Sequence, residues 1–65
     1  MRNIVRELRT QRRWSQAELG VRVGVSRQAI IAIEMGHFDP SLPLAFKLAR
    51  LFDLTVEDVF QPDES

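Results

Sequence analysis

Apolar residues recur along the first part of the chain at the three-to-four spacing of helices that bury one face. Ile4, Val5 and Leu8 form the first set, which predicts a helix from an Asn3 cap to about Arg13 with those three side chains toward the core. Leu19 and Val23 form the second set, and Ile30 and Ile33 the third. Starts and stops are written between the sets. Ser15 can accept from the backbone N–H of Glu18 while the Glu18 carboxylate reaches back to the Ser15 N–H, and Trp14 is placed to staple onto Leu19. Ser26 repeats the cap, with Val25 and Ile30 as its staple. Gly24 and Gly36 supply the stops, because a left-handed residue past the last turn suits glycine.

Only Val25 separates the Gly24 stop from the Ser26 restart, so the two helices of the segment 16–35 cannot lie antiparallel and must cross steeply. The second of them keeps an outer face of Arg27, Gln28, Ile31, Ala32 and Met35, free to enter a groove.

The pattern changes after Gly36. In the loop His37-Phe38-Asp39-Pro40, Phe38 is expected to plug the core, and Ser41 then caps a helix with Pro43 in its first turn. Leu42, Leu44, Ala45, Phe46, Leu48, Ala49, Leu51 and Phe52 cover most of that helix's circumference, which calls for burial on more than one face. Asp53-Leu54 makes a turn, Thr55 with Asp58 caps a last short helix stapled by Leu54 and Val59, and Pro62 stops it. Val56 and Phe60 are left for burial. Together with Leu44, Leu51 and Leu54 they form the expected interface of a homodimer, while residues 62–65 read as an acidic tail.

Composition narrows the picture. A chain of 65 residues is one domain, and at this size only about 60% of the unfolded surface is buried, so a partner subunit would help. There is no Cys, and the lone His37 has no companions for a metal, so no metal or cofactor is expected. No stretch approaches the roughly 20 apolar residues that span a bilayer, and MRNIVREL does not resemble a signal peptide; a cytoplasmic protein without a membrane partner is expected. Neither a carboxylate pair, a nucleophile with its base nor a Gly-rich phosphate loop is present, which argues against an enzyme. The zero net charge hides a segregation. Residues 1–36 hold seven arginines against three glutamates, net +4, and residues 37–65 hold two cations against six carboxylates, net −4. The half with the crossed helices can attract phosphates while the other half points away.

Gln16, Glu18, Leu19, Gly24, Val25, Ser26, Arg27, Gln28, Ile30, Ile33, Glu34 and Gly36 resemble the motif of the Cro and lambda-repressor type, the Xre family of DNA-binding domains. Leu8-Arg9 upstream and Asp39-Pro40-Ser41-Leu42, Leu48-Ala49 and Asp58-Val59-Phe60 downstream are similar to the small stand-alone regulators of that family. The resemblance implies a single all-α domain over 1–65, a compact five-helix lambda-repressor-like fold with the helix-turn-helix in its second and third helices. It implies a sequence-specific regulator of transcription, a repressor, that binds double-stranded DNA as a homodimer on a palindromic operator. The same fold also serves antitoxins, whose further partner is a toxin, and interaction modules that no longer bind DNA. No small-molecule effector is apparent.

Arg27 suits the O6 and N7 of a guanine, Gln28 the N6 and N7 of an adenine, and Ile31 or Ala32 a thymine methyl. Gln16, by the resemblance, donates to a phosphate; Ser26, Arg13 and His37 are further phosphate candidates. The resemblance also pairs Arg9 with Glu34. Gly20 stands where the family usually has alanine, a departure expected to loosen its helix by about 0.5–1 kcal/mol. Ile31 and Met35 stand at outward positions that are more often polar.

Overall fold

One three-residue link is used three times in this chain: a left-handed residue, an apolar residue, then a Ser or Thr cap. The computed structural model describes residues 1–62, so residues 63–65 of the expected acidic tail lie outside the described residues. Among the described residues there are five helices, α1 (Val5–Gln11), α2 (Gln16–Val23), α3 (Arg27–Glu34), α4 (Leu42–Leu51) and α5 (Val56–Val59). Arg13-Trp14-Ser15 joins α1 to α2, Gly24-Val25-Ser26 joins α2 to α3, and Asp53-Leu54-Thr55 joins α4 to α5. The φ angles of Arg13, Gly24 and Asp53 are 60°, 79° and 60°. In each link the apolar residue's N–H reaches back to close the helix: Trp14 to Arg9 O at 3.2 Å, Val25 to Gly20 O at 2.9 Å and Leu54 to Ala49 O at 2.9 Å.

The caps are made as the sequence predicts. Ser15 Oγ accepts from the Glu18 N–H at 3.0 Å and Glu18 Oε1 from the Ser15 N–H at 2.7 Å. Thr55 and Asp58 form the same reciprocal pair, both bonds 3.1 Å. Ser26 Oγ and Ser41 Oγ accept from the N–H groups of Ala29 and Leu44.

Val5, Leu19, Ile30, Ile33, Leu48 and Val59 are fully buried, one or more from each helix, and Ala45, Ala49, Phe52 and Phe60 fill between them. The all-α expectation holds with one addition. β1 (Arg2–Asn3) pairs antiparallel with β2 (Phe60–Gln61), Asn3 opposite Phe60, which brings the two ends of the described chain together.

Several local expectations change. α1 ends at Gln11 instead of continuing to Arg13, because the backbone has already turned left-handed there. Asn3 is not its cap; Ile4 holds that position, is exposed, and makes no side-chain cap bond. Phe38 is exposed, not a plug. Leu44 and Phe60, expected at a dimer interface, are only 9% and 5% exposed and belong to the protein's own core, since β pairing turns Phe60 inward. Leu51, Leu54 and Val56 are half-buried against the same core. The apolar surface that this half presents is instead Phe38, Leu42 and Phe46, 48%, 64% and 44% exposed.

Gly20 also reads differently in place. A Cβ there would lie 2.6 Å from the Val25 carbonyl oxygen and 3.4 Å from Ser26, so its bare backbone is what lets the α2–α3 link approach so closely.

Candidate nucleic-acid interface

The first two residues of α3 stand in solvent while Ile30 of the same turn is buried, because the Gly24-Val25-Ser26 link is too short to cover the outer face. Arg27 and Gln28 are exposed there, beside the Ser26 hydroxyl, which is occupied in capping. Arg27, Ile31 and Met35 succeed one another at four-residue intervals and form one wall of an open cleft of about 490 Å³. Ser15, Gln16 and Ala17 at the start of α2 form a second wall, and Arg6 and Arg9 of α1 a third. Gln28 and Ala32 lie outside the cleft lining, on the neighbouring strip of α3.

At the far end of α3 sits a carboxylate removed from water. Glu34 and Arg9 have side chains only 4% and 12% exposed, and the guanidinium grips both carboxylate oxygens, Nε to Oε2 at 2.7 Å and Nη2 to Oε1 at 3.2 Å. Arg9 Nη1 also donates to the Trp14 carbonyl at 2.9 Å, so one side chain ties α1 to the α1–α2 link and to α3. The arginine–glutamate pair implied by resemblance is therefore made, and in the strong, bidentate form. Because Glu34 is neutralised by Arg9, the cleft keeps the charges of Arg6 and Arg27.

Gln16 has a partner that the sequence did not reveal. Its Nε2 donates to Glu34 Oε1 at 3.1 Å, so the side chain is held at the cleft wall by the buried pair, with a second amide hydrogen still to give. Arg13 and His37 are exposed in the turns after α1 and α3, and neither lines the cleft. Arg6 was missed by sequence reasoning; only its helical position three residues before Arg9 hints that it shares that face.

The other basic side chains nearby do structural work. Arg22 stacks 4.0 Å from the Trp14 ring, and Arg12 lies 5.5 Å from Trp14 and 5.2 Å from Phe52, whose ring centroid is 5.9 Å from that of Trp14. Trp14 is thus packed on the core, as its place before the Ser15 cap predicts. Among the described residues no cluster of His, Cys, Asp or Glu could hold a metal ion, and no helix is long and apolar enough to cross a membrane.

Two capped helices crossing over a three-residue link, the second with a bare polar N-terminal turn beside a basic cleft, define a helix-turn-helix DNA-binding domain. The chain belongs to the Xre-type helix-turn-helix family, whose model (HTH_3, helix-turn-helix) matches residues 5–59. It is 48% identical over 60 residues to an HTH-type transcriptional regulator of Methanocaldococcus jannaschii, covering 92% of this chain and 91% of that one. It is equally 48% identical to the HTH-type transcriptional regulator YgzD of Bacillus subtilis, over 98% and 97% of the two chains. Among solved structures it resembles the restriction-modification controller protein C.AhdI from Aeromonas hydrophila, with a TM-score of 0.76, 34% identity and 86% and 85% coverage. The protein is a transcriptional regulator with a helix-turn-helix DNA-binding fold.

Proposed function

We propose that the protein represses transcription by binding a specific, nearly palindromic operator as a homodimer. The observation that carries the reading is the exposed first turn of α3, with Arg27 and Gln28 free of partners within the fold's core and a basic cleft beside them. In the major groove Arg27 reads a guanine and Gln28 an adenine, and the apolar strip of Ile31 and Ala32 meets a thymine methyl. Gln16, Ser26 and Arg6 hold phosphates at the rim, Gln16 aided by the dipole and free N–H groups at the start of α2. Arg13 and His37 extend that backbone contact from the flanking turns. A domain that covers its operator excludes other proteins from the same stretch, and that exclusion is repression.

The homodimer uses the acidic half. Leu42 and Phe46 are exposed four residues apart on α4, and Leu42, Ala45 and Val56 line a shallow apolar groove beside them, so the apolar surface here is continuous. Pairing there, around a two-fold axis, keeps both basic halves outward and sets two α3 helices about 34 Å apart, one helical turn of DNA.

Selection of bound duplexes from a random pool tests the function: a palindromic site whose half-sites are centred one helical turn apart is expected, and a pool that stays random refutes it. Sedimentation equilibrium at micromolar concentration tests the dimer. Wild type is expected at twice 7.5 kDa and Leu42→Lys at 7.5 kDa; a wild-type monomer or a dimeric variant rejects this interface.

A further inference from the structure

The C-terminal end of α3 is held by a residue from outside the helix-turn-helix. Asn3 Nδ2 donates to the Ile33 carbonyl at 2.8 Å, across thirty positions of sequence. The same carbonyl accepts from the Gly36 N–H at 3.0 Å, so Asn3 supplies a second donor to the last turn of α3. Its Oδ1 accepts from the Val5 N–H at 3.1 Å, which fixes the side chain to the first turn of α1. Its backbone stands opposite Phe60 in the β1–β2 ladder, and the next residue, Ile4, donates its N–H to Val59 O at 3.0 Å. One half-buried amide thus joins α1, the terminal ladder with α5, and the recognition helix.

We propose that Asn3 is a positioning residue for sequence reading, fixing the angle of α3 without itself reaching a base. This rests on the reading of α3 as the recognition helix. Arg27 lies six residues from Ile33, about 9 Å along the helix at 1.5 Å per residue. A tilt of about 6° at the Ile33 end therefore displaces the reading end by about 1 Å, and misplacement on that scale is enough to cost up to about a hundredfold where geometry must be met. Arg9 and Gln16 hold the neighbouring Glu34 side chain, but Asn3 grips the helix backbone itself.

Asn3→Asp isolates the contact: it keeps an acceptor for the Val5 N–H and turns the donor to Ile33 into a second acceptor facing a carbonyl. Asn3→Ser is the companion variant, too short to reach Ile33 and free of the added charge. Affinity for the selected operator, affinity for a random duplex and the salt slope are measured at a temperature where thermal denaturation shows each protein folded. Both variants are expected to lose about tenfold in the ratio of operator to random affinity, with random-duplex affinity and salt slope unchanged in Asn3→Ser, the variant without added charge. A ratio equal to wild type in either folded variant overturns the proposal and leaves Asn3 a purely structural role. Wild type supplies a reading that needs no variant: the Asn3 side-chain amide protons must exchange slowly with solvent in the operator complex, and rapid exchange there overturns the proposal as well. A wild type that does not discriminate operator from random duplex is the separate result that removes the recognition-helix reading itself.

Discussion

The links Gly24-Val25-Ser26 and Asp53-Leu54-Thr55 follow the same plan, a left-handed residue, an apolar plug and a hydroxyl cap, yet one precedes the second helix of the helix-turn-helix and the other an acidic single turn. The difference lies in what the link releases into solvent. After Ser26 comes an eight-residue helix that opens on Arg27 and Gln28; after Thr55 comes a four-residue helix that opens on Val56, Glu57 and Asp58. In the proposed function the first is the end that meets phosphates and base edges, whereas the second carries carboxylates, with that of Asp58 occupied in capping. The turn is scaffold; function is carried by the two or three side chains that it leaves uncovered.

The two regions are also anchored with different strength, one from within α1 and one from the residue that caps its C-terminus. Arg9 reaches α3 through a nearly dry, bidentate ion pair, whereas Arg12 reaches the end of α4 through an exposed bond to Leu51 O at 3.3 Å and its stacking near Phe52. Arg9→Ala leaves the Glu34 carboxylate buried beside Gln16 alone and is expected to cost about 3–5 kcal/mol. That is a large share of what so small a domain has, at about 0.1 kcal/mol per residue. Arg12→Ala should cost less than about 1 kcal/mol. Urea denaturation of the two variants side by side checks this, and equal losses would mean that the ion pair does not distinguish the regions.

Binding sharpens the contrast. Arg27→Ala and Gln28→Ala should each weaken operator binding by about 1–3 kcal/mol with the fold intact, and Glu57→Ala should leave it unchanged or slightly tighter. Gel shifts against operator and random duplex separate these; an Arg27→Ala protein that binds its operator like wild type removes that residue from base reading. Binding should also fall steeply with salt, by roughly 10³ to 10⁵ between 50 and 200 mM for a dimer with about 6–10 phosphate contacts.

What the sequence made legible was whatever is local. The pairs Ser15 with Glu18 and Thr55 with Asp58 span three residues, so residue type and spacing determine the bond. The helices of the helix-turn-helix followed from these and from Leu19, Val23, Ile30 and Ile33 at helical spacing, all four of them buried, whereas the five-helix fold class rested on the family resemblance. The left-handed turns at Arg13 and Asp53 were not legible, because neither residue announces that conformation as Gly24 does. Nor were the partners of Asn3 and Gln16, which lie 30 and 18 positions away. The burial of Leu44 and Phe60, two of the five residues expected at an interface, was not legible for a related reason: the β1–β2 ladder, between segments far apart in sequence, turns Phe60 inward, and Leu44 is spent on the core.

Gly20 gives a sharper test of the α2–α3 link. Helix propensity favours Gly20→Ala by about 1 kcal/mol, but the added Cβ would meet backbone oxygen at 2.6 Å, and such overpacking costs about 1–3 kcal/mol. A net loss of about 1 kcal/mol in thermal denaturation is expected, together with weaker operator binding as the link is pushed open. A variant more stable than wild type would show that the close approach is not what glycine supplies.

The smallest effect tests whether the two links are conformationally equivalent. Asp53 holds φ at 60°, where a side chain with a Cβ is strained by about 1–2 kcal/mol, eased for Asp by its short polar side chain. Glycine removes that strain but loses more freedom on folding, by about 0.5–1 kcal/mol. Asp53→Gly should therefore gain no more than about 0.5 kcal/mol, a rise of about 2–4 °C in Tm for a domain of this size. At Gly24, where φ is 79° and nothing stands within 4 Å of an added Cβ, the reverse change Gly24→Asp should lose a similar small amount through conformation alone. If Asp53→Gly lowers Tm while Gly24→Asp leaves it unchanged, the Asp53 side chain contributes something that the shared turn plan does not, and the likeness of the two links ends at the backbone.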